Sequence, residues 1–247
     1  MTTKRSANRP TVLDDAKFLQ PEEAARLRDH LEDEVAAALA RGGRLRLRNA
    51  ALAQTLLGTG LRISEAVSLQ VGDLVLEGPR RLVRVRHGKG DKARDVTLGA
   101  DLRNLLKRYI DARRVSGEAL AAIAPVFPAG AGVRCMSRIS GWRVWKAYLV
   151  ALALDAKGRG CHAARHTRAT LLYAATRDLR LVGRELGHSD MRTTAIYADV
   201  LAEDRAAAAD AIDDRLRAAT TAAHAGMSKM KRNAAKTKQN YGQGAAK

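Results

Sequence analysis

The sequence predicts an α+β fold that is mostly helical and carries one small antiparallel β-hairpin. Apolar residues recur at helical spacing over most of the chain, as at Ala24, Leu27 and Leu31. Between 81 and 86 the period changes, as apolar residues alternate with arginines, and a glycine-rich turn and a second short run at 95–98 follow. With 46% hydrophobic residues among 247, the chain can bury a core of one large domain or two small ones.

The stretch before the hairpin predicts three helices. Pro21 suits the first helical position, so we expect a helix from Pro21 to about Ala40, ended by Gly42-Gly43. A second helix is predicted at 47–57, followed by a turn at Gly58-Thr59-Gly60. A short helix is expected from about Ser64.

The remaining elements are a hairpin and more helices. Alternation at 82–85 and 95–98, joined by the polar loop 88–92, predicts the two hairpin strands. Pro125 and Pro128 bracket a short extended piece. Further helices are predicted at 100–113, 118–124, 137–154, 162–175, 178–186, 190–197 and, in an alanine-rich stretch, 202–223.

Both ends of the chain are polar. Residues 1–16 predict a basic flexible arm, and 226–247 hold six basic residues and no acidic one, which predicts a disordered basic tail. The start of the chain has no apolar signal-peptide core, and no apolar stretch approaches the roughly 18–20 residues that span a membrane. We therefore expect no membrane partner.

The charge balance points to nucleic acid. The chain has 44 Lys and Arg against 26 Asp and Glu, a net charge of +18, and such an excess favours salt-sensitive binding to phosphates. Aromatic residues are only 4%, so stacking on single strands is less expected than contact with a duplex backbone. The alternative is a basic protein whose charge has no specific partner. Two cysteines, Cys135 and Cys161, exclude a disulfide framework and a four-cysteine zinc site and suit a reducing cytoplasm.

Two short segments carry candidate cations. Arg62 follows a glycine turn near a helix start, where guanidinium and backbone N–H groups can face an anion. Its alternative is an ordinary ion pair with Glu65, three residues on. In the loop 88–94, flanking glycines let Lys89 project from the hairpin tip as a candidate proton donor to a leaving oxygen. The alternative there is a solvated basic turn.

The densest cluster of chemically capable residues lies between 161 and 197. His162 and Arg165 are three apart on a predicted helix, His188 follows a glycine, and Tyr197 lies nine residues beyond it. Together they suggest phosphoryl chemistry on a polyanion. A metal site is the rival interpretation, but no carboxylate or cysteine keeps a suitable spacing with these histidines.

Four of these segments, TGLRISE, HGKGDKAR, HAARHT and LGHSDMRTTAIY, resemble the tyrosine recombinases, the phage-integrase and Xer-type enzymes. The resemblance covers residues 17–201 as a catalytic domain with the DNA breaking-rejoining fold, and 202–225 would be a C-terminal helix. It implies that Arg62 and Arg165 hold the scissile phosphate and that Tyr197 attacks it. It further implies the following roles: Lys89 protonates the leaving 5′-oxygen, His162 assists proton transfer at the nucleophile, His188 donates to the phosphate, and Glu65 orients the site. We also expect contacts to DNA from Arg86, Lys92, Arg94, His166 and Arg192.

The resemblance implies a site-specific recombinase that cuts and rejoins duplex DNA through a 3′-phosphotyrosine, without metal, ATP or another cofactor. It would act as a homotetramer, with an accessory protein or partner recombinase, at the nucleoid in the cytoplasm. Alternatives are a type IB topoisomerase-like relaxing enzyme and a non-cleaving DNA-binding regulator. Only about 16 residues precede Lys17, so we expect a member without the separate helical core-binding domain of typical relatives. The basic arm and the tail are candidates to supply the DNA contacts that the core-binding domain makes in typical relatives.

Overall fold

The computed structural model describes residues 17–86, 93–130, 134–155 and 159–187, with single helical positions beyond them at 194, 196, 197, 212, 213, 215 and 217. The chain divides into two units, 1–200 and 201–247. The fold described here is that of the first unit. The predicted N-terminal arm and basic tail lie outside the described residues. No helix within the described residues is both long and apolar enough to cross a membrane.

The predicted fold class is confirmed: helices dominate, and one small antiparallel sheet joins them. The helices of the described residues are α1 (Pro21–Arg41), α2 (Arg44–Thr59), α3 (Ile63–Val67), α4 (Ala100–Val115), α5 (Arg138–Ala151), α6 (Cys161–Thr176) and α7 (Leu179–Leu186). The strands are β1 (Leu74–Val75), β2 (Leu82–Val85) and β3 (Arg94–Thr97), in the order β1-β2-β3. Of the predicted helix at 190–197, the described positions Thr194, Ile196 and Tyr197 are helical.

Helix α1 forms as its end signals predict. Glu23 accepts a hydrogen bond of 2.9 Å from the backbone N–H of Gln20, Pro21 occupies the first turn, and Gly42 ends the helix with a left-handed φ of 76°. The stripe that it buries contains Ala24, Leu27, Leu31, Val35 and Ala38. Each fully buried leucine contributes about 1.5–3 kcal/mol to folding, so this stripe fixes α1 against α2.

Helix α2 is the central helix of the fold. Every residue from Ala50 to Leu57 is buried, and α2 packs against α1, α4 and α6. It begins at Arg44, earlier than predicted, and continues through Gly58 and Thr59, where we predicted a turn. The Thr59 hydroxyl donates to the Thr55 carbonyl within the helix, so only Gly60, with a φ of 66°, turns the chain.

The sheet contains the predicted hairpin and a third strand that the sequence did not predict. Val83 pairs with Val96 and Val85 pairs with Arg94 between β2 and β3. Strand β1 is only two residues long and pairs Leu74 with Val83. Such a short strand carries no alternation of its own and exists because β2 offers it a free edge.

The predicted helix at 118–124 is wrong, because the carboxylate and the backbone carbonyls of this segment form hydrogen bonds with other parts of the domain. The carboxylate of Glu118 accepts from the buried Arg113 of α4 at 2.7 Å. The carbonyls of Ala122 and Ala124 accept from the backbone of Gly72 and Val71 at 2.8 and 2.9 Å. These long-range bonds replace the intrahelical ones that a seven-residue helix could not maintain by itself.

Helix α5 ends earlier than predicted, and the indole of Trp145 connects it to the start of α6. Ala153 has a left-handed φ of 53°, which stops the helix at Ala151 rather than at 154. The fully buried Trp145 donates its Nε1–H to the carbonyl of Gly160 at 3.1 Å, directly before α6. The predicted helices at 162–175 and 178–186 agree with α6 and α7 to within a residue or two.

Gly60→Ala should destabilise the fold more than Gly42→Ala, although both glycines end helices with a left-handed φ. A Cβ at Gly60 would lie 2.8 Å from Leu186 Cδ2 and 3.1 Å from Arg168 Cγ, whereas one at Gly42 meets nothing within 4 Å. We expect Gly42→Ala to cost about 1–2 kcal/mol and Gly60→Ala about 1–3 kcal/mol more. Urea unfolding of both variants measures the difference, and equal costs would contradict tight packing at Gly60.

Candidate active site

Arg62 lies at the start of α3, two residues after the left-handed turn at Gly60. Its backbone N–H and its Nη1 donate to the two carboxylate oxygens of Glu65, at 2.8 and 2.9 Å. The predicted ion pair is therefore present. The Arg62 side chain is 25% exposed, so the guanidinium is held by Glu65 and still faces solvent in part.

Glu65 is the buried anion of the site. Its side chain is 4% exposed, and Arg94, 10% exposed, donates to both of its oxygens at 3.0 and 2.9 Å. Burial by itself would raise the pKa of Glu65, but the hydrogen bonds from Arg94 and from the Arg62 backbone hold the pKa below its ordinary value. One carboxylate therefore fixes two arginines that come from different segments.

Arg94 is an internal residue, although we predicted that it contacts DNA. Besides its two bonds to Glu65, its Nε donates to the carbonyl of Glu185 at 3.0 Å. The guanidinium passes so close to Gly187 that a Cβ there would lie 3.0 Å from Nε. Arg94 therefore joins the hairpin to α3 and to the end of α7, and its donors point into the protein.

Arg165 joins two turns from within α6. Nη1 donates to the carbonyl of Gly60 at 3.0 Å and Nη2 donates to the carbonyl of Leu186, and the residue is 4% exposed. Burial and the nearby positive charge of Arg62 lower its pKa to about 10, so it stays protonated at neutral pH. It thus places a desolvated cation between the ends of α2 and α7.

Tyr197 is buried beside this cation. It is 1% exposed and belongs to a second apolar cluster together with Phe18, Ala169, Val182 and Leu186. Its hydroxyl oxygen lies 3.0 Å from Nδ1 of His166. Burial raises the pKa of Tyr197 to about 12, against a lowering influence of Arg165, so the phenol is protonated at neutral pH.

His166 contacts this tyrosine, whereas we predicted a contact with DNA. Burial lowers the pKa of His166 to about 4, and the electrostatic influence of His162, Arg165 and Lys17 acts in the same direction. The imidazole is therefore neutral at pH 7. His162 lies four residues earlier on α6 and is exposed, so it does not share the buried position of Arg165 that its spacing suggested.

Of the other predicted site residues, the structure describes Arg86. Arg86 donates to Asp73 Oδ1 at 2.6 Å and to Gln70, and its side chain is 43% exposed. Its predicted contact with DNA stays a prediction. Four predicted residues lie outside the described residues: Lys89, Lys92, His188 and Arg192.

The described residues contain no group of three or more His, Cys, Asp or Glu side chains that could hold a metal ion. Cys135 is exposed and Cys161 is buried, and neither forms a disulfide. The chemically capable groups of the described site are therefore guanidinium, imidazole, carboxylate and phenol.

Comparison with known proteins assigns the chain to a family. The model of the phage integrase family matches residues 17–204. The chain belongs to the phage integrase family. The tyrosine recombinase XerD of Yersinia pestis is 37% identical to this integrase-family chain over 162 residues, which is 64% of this chain and 52% of the relative. XerD of Vibrio cholerae is 37% identical over 161 residues, with 64% and 51% coverage.

Solved structures of recombinases share the fold of this family member. The XerH site-specific recombinase bound to palindromic difH substrate, a post-cleavage complex, superposes with a TM-score of 0.65 at 27% identity, covering 78% of this chain and 53% of that one. A pre-cleavage complex of XerH with difH gives 0.61 at 27% identity, with 74% and 50% coverage. The chain thus spans about half the length of the curated relatives that it matches.

Proposed function

We propose that this chain is a site-specific DNA recombinase, which cuts and rejoins duplex DNA through a covalent 3′-phosphotyrosine and needs neither metal nor ATP. The observation that carries the proposal is the convergence of three distant segments at one place. Arg165 donates to the carbonyl of Gly60, two residues before Arg62. Both Arg62 and Tyr197 influence the pKa of Arg165, so a second guanidinium group and a phenol each lie within electrostatic range of Arg165.

This arrangement suits attack on a phosphodiester. Arg62 and Arg165 would each donate to non-bridging oxygens and balance the charge that builds on phosphorus. The Tyr197 oxygen would form the new bond to phosphorus while the bond to the 5′-oxygen breaks, and Lys89 would give that oxygen its proton. His162 would assist proton transfer, and His188 would donate to the same phosphate. Because the phosphotyrosine conserves the bond energy, the 5′-hydroxyl can reverse the step.

The burial of Tyr197 adds a condition to this mechanism. At 1% exposure, its hydroxyl does not reach a phosphate on the surface of the described chain. Binding of DNA must therefore either uncover Tyr197 or bring the phosphate into the space between Arg62 and Arg165. Either change lets the chain keep an unreactive phenol until a substrate is present.

The named relatives support duplex DNA as the proposed substrate. The matched curated proteins are named tyrosine recombinases, and XerH is seen bound to difH. We propose that this chain also acts at a duplex site, as a homotetramer at the nucleoid, together with an accessory protein or a partner recombinase. Arg86, Lys92 and Arg192 are the proposed contacts to the duplex.

Capture of covalent adducts tests the proposal. The purified chain is incubated with sheared genomic DNA of the organism that encodes it, stopped with detergent, and the protein-linked fragments are sequenced. Adducts at a few paired inverted-repeat sites would support a recombinase and reveal its target. Adducts scattered without site preference would indicate a topoisomerase-like relaxing enzyme. Binding without adducts would contradict the proposal and favour a non-cleaving regulator.

A further inference from the structure

The proposed function gives proton transfer to His162, but the structure places a different imidazole against the Tyr197 hydroxyl. Nδ1 of His166 lies 3.0 Å from the Tyr197 hydroxyl, and the two ring centroids are 5.9 Å apart. Among the imidazoles of the described site, the exposed His162 is the one predicted for proton transfer, but His166, one turn later on α6, is the one within hydrogen-bond distance of the phenol.

The surroundings of His166 keep it neutral and oriented. The charged or titratable groups that act on it are His162 and Arg165 of α6, Lys17 of the segment before α1, and Tyr197 itself. Burial and these neighbouring groups disfavour a second proton on the ring, so one ring nitrogen can accept a hydrogen bond. Because the phenol is the better donor of the pair, we expect Tyr197 to donate to Nδ1 and the ring proton to reside on Nε2.

We propose that His166 is a catalytic residue that accepts the hydrogen bond of the Tyr197 hydroxyl, aims its oxygen, and receives the phenolic proton as that oxygen attacks phosphorus. The proposal rests on the proposed function, since it needs Tyr197 as the nucleophile. His166 follows Arg165 directly on α6, so one rigid helix holds both the phosphate cation and the proton acceptor.

The proton balance of the step is complete. The O–H bond of Tyr197 breaks, its proton moves to Nδ1, and the ring becomes an imidazolium while the new oxygen–phosphorus bond forms. The leaving 5′-oxygen takes its proton from Lys89. In the rejoining step, the neutral amine of Lys89 takes the proton of the attacking 5′-hydroxyl, and the imidazolium returns its proton to the departing phenolate.

The arrival of the phosphate controls this transfer. Without DNA, burial holds the pKa of Tyr197 near 12 and that of His166 near 4, so the proton stays on the phenol. A phosphodiester anion beside Arg165 favours the charged imidazolium and therefore raises the pKa of His166. The acceptor becomes a stronger base only when there is a phosphate to attack.

Two substitutions at position 166 separate proton acceptance from orientation. In His166→Asn, the amide oxygen can replace Nδ1 as a hydrogen-bond acceptor but cannot take a proton, whereas His166→Ala removes both functions. Adduct formation on the same genomic fragments is timed at several pH values, and DNA binding is measured separately. Ile139→Ala, at an exposed position on α5, serves as a control for handling and folding.

We expect both variants to bind DNA like the parent and to form adducts roughly a hundredfold more slowly, with a rate that rises with pH as hydroxide replaces the missing base. Parental rates in His166→Asn would overturn proton acceptance, and parental rates in His166→Ala would overturn the whole proposal. If the parent itself forms no adduct, the proposed function has failed, and the timing experiment does not apply.

A measurement on the unaltered chain does not depend on activity or on the folding of a variant. Nitrogen-15 chemical shifts of the His166 ring report which nitrogen carries the proton. We expect an unprotonated Nδ1 and a protonated Nε2 at pH 7, with the Nδ1 shift changing in Tyr197→Phe. A protonated Nδ1 would mean that the histidine donates to the phenol and would overturn the proposal.

Discussion

Tyr197→Phe should abolish covalent adducts while leaving DNA binding unchanged. The substitution removes only the hydroxyl, which is the proposed nucleophile, and keeps the ring in its apolar cluster with Phe18, Val182 and Leu186. Loss of the hydrogen bond to His166 should lower the free energy of unfolding by about 1 kcal/mol. Detergent-stable protein–DNA complexes and a binding titration measure the two effects separately.

Tyr173→Phe is the matched control for this experiment. Tyr173 lies on α6 and packs against the same cluster as Tyr197, but its described contact is with the Arg177 guanidinium, 5.8 Å from the ring centroid. We expect it to retain parental adduct formation. Adducts that persist in Tyr197→Phe would move the nucleophile to another residue, and their loss in Tyr173→Phe would identify it.

Glu65→Gln should cause the largest loss of stability among single substitutions in the site. The amide cannot neutralise Arg94, which is 10% exposed and donates to both carboxylate oxygens. Removing one partner of a buried ion pair costs about 3–5 kcal/mol, which lowers the melting temperature of a domain of this size by about 6–20 °C. The control is Asp111→Asn, which breaks an exposed pair with Arg114 and should cost less than about 1 kcal/mol.

The stability difference between Glu65→Gln and the parent should also depend on pH. The pKa of Glu65 is lower in the folded chain than its ordinary value of 4.5, so the unfolded chain binds its proton first. The contribution of Glu65 is therefore fully present above about pH 4.5 and is lost as the pH falls through the folded value. Denaturant unfolding at pH 7 and at pH 4 measures this, and a difference that does not shrink at the lower pH would contradict the buried pair.

Local patterns single out Arg62, Arg165 and Tyr197 as candidates, because a turn, a helix face and a motif are local features. Packing decides how these side chains are held. The two bonds from Arg94 to Glu65 join positions 29 apart in sequence, and no local pattern specifies that distance. One signal was present, however: alternation along β3 places Arg94 on the same face as the buried Val96. A charged residue on the core face indicates a buried partner of opposite charge.

The errors in the predicted fold also arise from contacts between residues that are distant in sequence. The stretch 118–124 has reasonable helix propensity, but its carbonyls bond to the backbone at Val71 and Gly72, which propensity does not consider. Strand β1 depends wholly on its neighbour β2. The contact between His166 and Tyr197 joins positions 31 apart and requires α6 and the later segment to be packed before it exists.

Phe18 and Tyr197 share one apolar cluster, and this has a consequence for the order in which the chain folds. Leu19 bonds to Thr167 across 148 positions of sequence, so the segment before α1 closes one of the longest loops of the domain. Closing long loops is entropically costly and tends to come late. The proposed nucleophile therefore acquires its fixed position only when the beginning and the end of the domain have met, and a partly synthesised or misfolded chain does not hold Tyr197 in the orientation that the proposed attack requires.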